Sequence, residues 1–310
     1  MIIERKDFLF LEGSRENSDL LISFAPFDKD NIPRFDLFRY LEVKNRQDKV
    51  HVLYLADVDN LWYLKGVKGI GNTLEETLQY IRILIKRHNI LHIMTLGSSM
   101  GGYGAALYAI LLKAQHALIS GIDIQIGIVG SNSAKLGNSE MFERYTDKLY
   151  WDLYRLMSGH THTKFCVLVG SLAPMDNVFA NRIASLHGVE IYTCPECGHI
   201  IPSCLSEKKL LVDIYDEYID TKMLAGYEEY GFYNGIVMPE ELLETWYTQL
   251  FIEKRFVPEV FITLAEKFPK SGFANYMAAQ ACHRILRLDK EIQYRKQALL
   301  CNPPFENPVV

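Results

Sequence analysis

The chain has 310 residues, 49% of them hydrophobic and 23% charged, with a formal net charge of −5 at neutral pH. That composition suits a globular protein with a substantial buried core. The mild charge gives no reason to expect a nucleic-acid or membrane-surface partner. No apolar run is long enough to span a bilayer, and MIIERKDFLFLEG carries charges where a signal peptide keeps an apolar stretch. A cytoplasmic location is expected, with the six cysteines mostly reduced.

MIIER and DFLFLE open the chain as a short antiparallel edge. LLISF (20–24), HVLYLA (51–56), ILHIMTL (90–96), IQIGIV (124–129), KFCVLVG (164–170) and VEIYT (189–193) then read as strands. Their nearly continuous apolar character suits a parallel sheet covered on both faces. Helices fall between them. Asn72 followed by Glu75 resembles a capping box, and Leu74, Leu78, Ile81 and Ile85 make one apolar helical face behind it. GYGAALYAILLKA forms a second helix, rich in small residues, and 178–187 and 205–222 read as two more. Residues 131–163 exceed a simple crossover. They begin polar with SNSAKLGNSE, continue as a helix through MFERYTDKLYWDLYRLM, and would form a small lid. This alternation predicts an α/β fold with a mostly parallel, doubly wound sheet over residues 1–222.

From about residue 225 the pattern is helical. Pro239 fits the first turn of a helix through EELLETWYTQLFIEK. Pro269 and Pro303 stand 34 residues apart (303 − 269), and the sequence between them reads as a helix pair with Tyr276, Ala279 and Ala298 at packing positions. That stretch, 257–304, resembles a tetratricopeptide repeat. One or two repeats cannot make a solenoid, so 223–310 is expected to be a helical appendage. Its alternative role is an arm for a protein partner.

The chemistry concentrates in TLGSSMGGYGAA (95–106), where Gly97-Ser98-Ser99-Met100-Gly101 is a G-x-S-x-G placed between a strand and a helix. A sharp strand-to-helix turn projects the Ser99 hydroxyl above the sheet edge, and the glycines leave room for the turn. Met100 N–H, at the helix start, can donate to an oxyanion. Element order and the GSSMGG turn together resemble the α/β-hydrolase superfamily. The resemblance implies an acid after the strand two beyond the turn and a histidine after the last strand. Asp176, in the loop SLAPMDNVF ahead of a helix near Val178, and His199, in CPECGHIIP, stand at those places. It further implies that Ser99 attacks a carbonyl, His199 carries the proton and Asp176 orients the imidazole. A second oxyanion donor would come from SFAPFDKDN. Pro26 has no N–H, which leaves Ala25 or Phe27, and Ala25 is chosen.

Two stretches bear on substrate and metal. LYLADVDNLWYLKGVKGIG follows the strand before the Ser99 strand, and Asp57, Asn60 and Trp62 within it suit a polar, ring-shaped ligand such as a sugar. This D-x-x-N-x-W-Y stretch and the GSSMGG turn resemble a bacterial subgroup that includes capsular polysaccharide O-acetyltransferases. For such a transferase acetyl-CoA would be the co-substrate; otherwise no cofactor is implied. GVKGIGN does not follow a strand directly and is weak as a phosphate loop. In CPECGHIIPSC, Cys194, Cys197, His199 and Cys204 have the vocabulary of a zinc site. A metal there would consume the base that Ser99 needs, and no second CxxC completes a ribbon. No metal is expected, with the cysteines as filler; a Cys194–Cys197 disulfide would need an oxidising setting. The expected function is serine-dependent acyl transfer, as an esterase or other hydrolase of a small or carbohydrate ester. The alternatives are sugar O-acetylation and a non-catalytic protein that binds a partner through its tail.

Overall fold

The computed structural model describes residues 2–5, 7–14, 19–33, 35, 50–137 and 148–306. Among the described residues nine strands form one sheet: β1 Ile2–Arg5, β2 Phe8–Leu11, β3 Asp19–Phe24, β4 His51–Leu55, β5 His92–Ser98, β6 His116–Ser120, β7 Lys164–Gly170, β8 Val189–Cys194 and β9 Tyr233–Asn234. Their order is β1-β2-β4-β3-β5-β6-β7-β8-β9. The six strands from β4 to β8 run parallel, and β1, β2 and β9 pair antiparallel at the edges. The continuous apolar runs are explained by two separate cores. Leu20, Ile22, Phe24, Leu53 and Leu55 pack on one face, and Leu21, Val52, Tyr54, Met94 and Leu96 pack on the other. Strands buried on both faces have no polar alternation to show.

Helix α1, Leu74–Arg87, and α2, Met100–Leu112, cover the first face. Helices α6, Ile201–Glu207, and α7, Leu211–Thr221, cover the second. Between them in sequence lie α3, Asn132–Leu136, α4, Leu153–Ser158, and α5, Pro174–Ile183.

Several expectations need correction. Residues 124–129 are not a strand. Gly127 sits at φ 73, which ends an extended run, and the segment makes only an isolated bridge, Gln125 to Asp152. The strand is β6, HALIS, which follows α2 after Lys113 closes the helix in a left-handed conformation without a glycine. The cap of α1 lies one residue later than Asn72. Thr73 Oγ1 accepts from Glu76 N–H at 3.2 Å, and Glu76 Oε2 accepts from Asn72 N–H at 2.7 Å. The helix placed at 178–187 begins at Pro174, whose fixed φ suits a first turn. The helix placed at 205–222 is the separate pair α6 and α7. In the expected lid, 138–147 lie outside the described residues; 148–152 are turn and bridge rather than helix, and α4 follows.

The C-terminal region is helical after β9: α8, Glu240–Tyr247, a π-helical turn, Thr248–Ile252, then α9, Pro258–Lys267, α10, Gly272–Arg284, and α11, Leu288–Leu300. Pro239 caps α8 rather than occupying its first turn. Ala279 and Ala298 are buried, and Tyr276 packs against the third core, which also takes in Leu172 and Val178 from the sheet region. Asn181 Nδ2 donates to Glu240 Oε1 at 3.0 Å, and Thr193 Oγ1 donates to Gly235 O at 2.7 Å. Among the described residues no helix is long and apolar enough to cross a membrane.

The shifted cap gives a direct test. Thr73→Ala is expected to lower stability by about 1 kcal/mol in urea unfolding. Asn72→Ala, which keeps the backbone donor to Glu76, should leave the midpoint unchanged.

Candidate active site

Ser99 lies between β5 and α2 at φ 55, ψ −124, a conformation that a non-glycine residue rarely holds. Its surroundings fix it there. Ser99 N–H donates to Ser120 O on the neighbouring β6 at 2.9 Å, and Ser99 O accepts from Tyr103 N–H at 3.1 Å. The next turn can approach β3 only because residue 101 is glycine: a Cβ there would stand 2.3 Å from Phe24 O. Met100 is the first residue of α2, so its N–H has no acceptor within the helix.

His199 lies on the loop between β8 and α6. That loop is tied down at several points. Leu172 N–H donates to Cys197 O at 2.9 Å, and Glu196 N–H donates to Ser171 Oγ at 2.8 Å. Cys197 is joined to Cys204 in a disulfide, so the ring it closes contains His199. This corrects the expectation that the cysteines of CPECGHIIPSC are reduced filler. It also corrects the pairing: Cys194 ends β8 inside the core, free and buried, and its CxxC neighbour reaches forward to α6. The four side chains that resemble a zinc set do not converge, since two are bonded to each other and the imidazole faces elsewhere. The other side of the ring is closed by Gly121, at φ 55, where a Cβ would lie 2.5 Å from His199 O and 3.1 Å from Nδ1.

Asp176 stands in the first turn of α5 rather than in the loop before it, where the helix dipole favours a carboxylate. The three predicted side chains meet. His199 Nδ1 is 2.9 Å from Asp176 Oδ2, and His199 Nε2 is 2.9 Å from Ser99 Oγ. Asp176 is buried, and the His199 side chain retains 25% exposure. Burial opposes charging the imidazole, but the carboxylate of Asp176 and the nearby Asp123 outweigh it and hold its pKa above the ordinary histidine value. Such an array can generate an alkoxide-like nucleophile at Ser99 and shuttle its proton.

Two residues that sequence reasoning missed adjoin it. Asn132 Nδ2 lies 2.9 Å from His199 Nε2. Asp123, after β6, is buried with Oδ2 accepting from Ser133 N–H at 2.5 Å; burial raises its pKa. SNSAK offers no motif that marks Asn132, and the misplaced strand at 124–129 hid the position of Asp123.

The remaining assignments change. Ala25 N–H donates to Leu55 O at 2.8 Å, so it is engaged in the sheet and cannot serve an oxyanion. Asp57, Asn60 and Trp62 are buried and engaged within the protein. Asp57 is buried, and its Oδ2 accepts from Leu61 N–H at 2.7 Å and Tyr63 N–H at 2.8 Å; burial pushes its pKa up to about 6. Asn60 clamps Asp28 and Asn31, and Trp62 is buried in the core. Tyr63 hydroxyl then donates to Ala25 O at 2.7 Å. The stretch is a strut that holds the 25–31 backbone beside the Ser99 turn. GVKGIGN belongs to the approach to α1: a Cβ at Gly66 would meet Thr73 O at 2.3 Å, and Lys68 pairs with Asp59 at 2.5 Å.

The strut predicts that Asp57→Ala leaves two buried N–H groups unpaired and costs about 2–4 kcal/mol of stability. A ligand-binding role would instead raise KM with stability unchanged. Chemical denaturation and ester kinetics on the folded variant separate the two outcomes.

No family model matches the sequence, and no curated protein matches it. Similar solved structures exist. The capsule O-acetyltransferase of Neisseria meningitidis serogroup A shares 17% identity over 68% of this chain and 94% of that chain, with a TM-score of 0.50. An S-formylglutathione hydrolase from Agrobacterium tumefaciens shares 11% over 69% and 88%, with a TM-score of 0.49. An α/β hydrolase from the metagenome of Mar Chica lagoon sediments shares 13% over 72% and 100%, with a TM-score of 0.44. At 17% identity the likeness to the capsule O-acetyltransferase is one of fold, and with the parallel order β4-β3-β5-β6-β7-β8 and a serine at the β5–α2 turn the chain has the α/β-hydrolase fold.

Proposed function

We propose that this protein is a serine-dependent acyl-transfer enzyme that works through an acyl-enzyme on Ser99, most simply as an esterase of a small or carbohydrate ester. The observation that carries the reading is the pair of 2.9 Å contacts through which His199 joins Ser99 and Asp176. Asp176 accepts from Nδ1–H and leaves the Nε2 lone pair toward Ser99. Ser99 Oγ attacks the ester carbonyl carbon as its proton passes to Nε2, and the carbonyl oxygen becomes an oxyanion. Met100 N–H is one donor for it. Phe27 N–H is the other: it follows Pro26 on the backbone that Tyr63 and Asn60 hold, and it replaces the engaged Ala25. Collapse of the intermediate breaks the bond to the leaving oxygen, which takes the proton from Nε2. An acceptor hydroxyl then reverses the sequence and frees Ser99. Water gives hydrolysis; with acetyl-CoA as donor the bond broken in acylation is C–S, the CoA sulfur takes the Nε2 proton in place of an oxygen, and a sugar hydroxyl as acceptor gives O-acetylation.

A fluorophosphonate probe is expected to label the wild type, to label Ser98→Ala and to leave Ser99→Ala unlabelled; a folded wild type that stays unlabelled overturns the reading. Acetyl-CoA consumption measured with and without sugar acceptors assigns the second half-reaction.

The pH dependence has a definite sign. His199 must be neutral to accept the proton, so kcat/KM rises with pH through its pKa. Because Asp176 and Asp123 outweigh burial and Lys135, the midpoint should lie above 6.5. Asp176→Asn should lower the rate and move that midpoint downward.

A further inference from the structure

Asn132 and Ser99 both face the same imidazole nitrogen. Asn132 Nδ2 lies 2.9 Å from His199 Nε2 and 3.3 Å from Nδ1, while Ser99 Oγ lies 2.9 Å from Nε2. With Nδ1–H directed at Asp176, the in-plane Nε2 lone pair goes to Ser99, and the Asn132 amide nitrogen, close to both ring nitrogens, lies over the imidazole face beside Nε2. Once His199 takes the Ser99 proton, Nε2 becomes a donor. An amide N–H and an imidazolium N–H cannot bond each other. Both can bond one oxygen placed between them.

We propose that Asn132 is a catalytic residue whose amide N–H holds the departing oxygen in acylation and the incoming hydroxyl oxygen in deacylation. The inference rests on the acyl-enzyme reading of Ser99. In acylation the carbon–oxygen bond of the ester breaks with its electron pair going to the leaving oxygen; that oxygen takes the Nε2 proton and a hydrogen bond from Asn132. In deacylation the incoming oxygen, held by Asn132, gives its proton to Nε2 as it bonds the acyl carbon, and Ser99 Oγ leaves with that proton. Asn132 thus fixes where the second oxygen sits, and with it whether a small water or a larger alcohol is well held.

The surrounding loop keeps the amide in place. Ser133 N–H donates to Asp123 Oδ2 at 2.5 Å, Ser133 Oγ accepts from Gly127 N–H at 3.0 Å, and Ser131 Oγ accepts from Ala134 N–H at 3.0 Å. Ser131, Ser133 and Asp123 are all buried. Gly130, at φ 89, lies under the Phe251 ring of the π-helical turn, where a Cβ would come within 2.6 Å. A side chain on so constrained a backbone loses little freedom when it binds.

The test uses aryl acetates graded in leaving-group pKa, from p-nitrophenyl to p-methoxyphenyl acetate, with phenol release as the readout. A p-nitrophenolate departs with little help, whereas a p-methoxyphenolate needs the proton and the hydrogen bond. In Asn132→Ala the ratio of kcat/KM for p-nitrophenyl over p-methoxyphenyl acetate is expected to rise about tenfold over wild type, less than the roughly 10²–10⁴-fold that a group transferring the proton itself contributes. Asn132→Leu, close in volume but without the donor, should behave alike and covers the case in which the alanine variant fails to fold. An unchanged ratio overturns the inference, whatever the absolute loss. A wild type that neither releases phenol nor reacts with a fluorophosphonate overturns the acyl-enzyme reading itself, and this inference with it.

Discussion

The strained backbone at Ser99 is the constraint around which the rest of the molecule is arranged. A residue at φ 55, ψ −124 costs on the order of 1–3 kcal/mol and persists only where its neighbours over-determine it. Here the strand before it and the helix after it are both buried. From Met100 to Ala109 every residue of α2 is buried, so the helix has no polar face on which to roll. The bond from Ser99 N–H to Ser120 O fastens the turn to β6, and Gly101 lets it press on β3. The hydroxyl is thereby directed at one imidazole nitrogen, with the Met100 donor on the adjacent peptide.

The charges follow from that placement. Asp176 and Asp123 reach His199 from the ends of β7 and β6, and neither carboxylate is solvated. A buried negative charge needs partners. Asp176 has the imidazole and the start of α5; Asp123 has the Ser133 N–H and one oxygen with no hydrogen-bond partner among the described residues. The field at the imidazole is therefore set by two acids of unequal support, opposed by Lys135 and by burial.

The parallel sheet was legible because strands buried on both faces read as unbroken apolar runs, and the Ser99 turn was legible because its glycines are sterically required. Chain order then located Asp176 and His199. What escaped depended on tertiary partners. HALIS is short and follows a helix that ends on a lysine, so no local punctuation separates them. IQIGIV has strand composition, but Gly127 turns it. Asp57, Asn60 and Trp62 have the chemistry of a sugar site, yet three consecutive turns of loop fold that chemistry inward, and only burial tells the two uses apart. Whether Ala25 N–H is available depends on a pairing with Leu55 that sequence does not announce. The Cys197–Cys204 bond needed the direction of α6.

Phe251 has a bearing beyond its contact with Gly130. The third core joins the C-terminal helices to Leu172 and Val178, α8 lies against α5, and the π-helical turn leans on the loop that carries Asn132. The helix supplying Asp176 therefore runs along the seam between the sheet and the C-terminal helices. Local opening of those helices would loosen the acid and the amide together while leaving the Ser99 turn intact, since that turn is anchored from β3, β6 and α2. Amide exchange in α5 and in 127–136 should accordingly share one opening free energy, separate from that of the residues around Ser99.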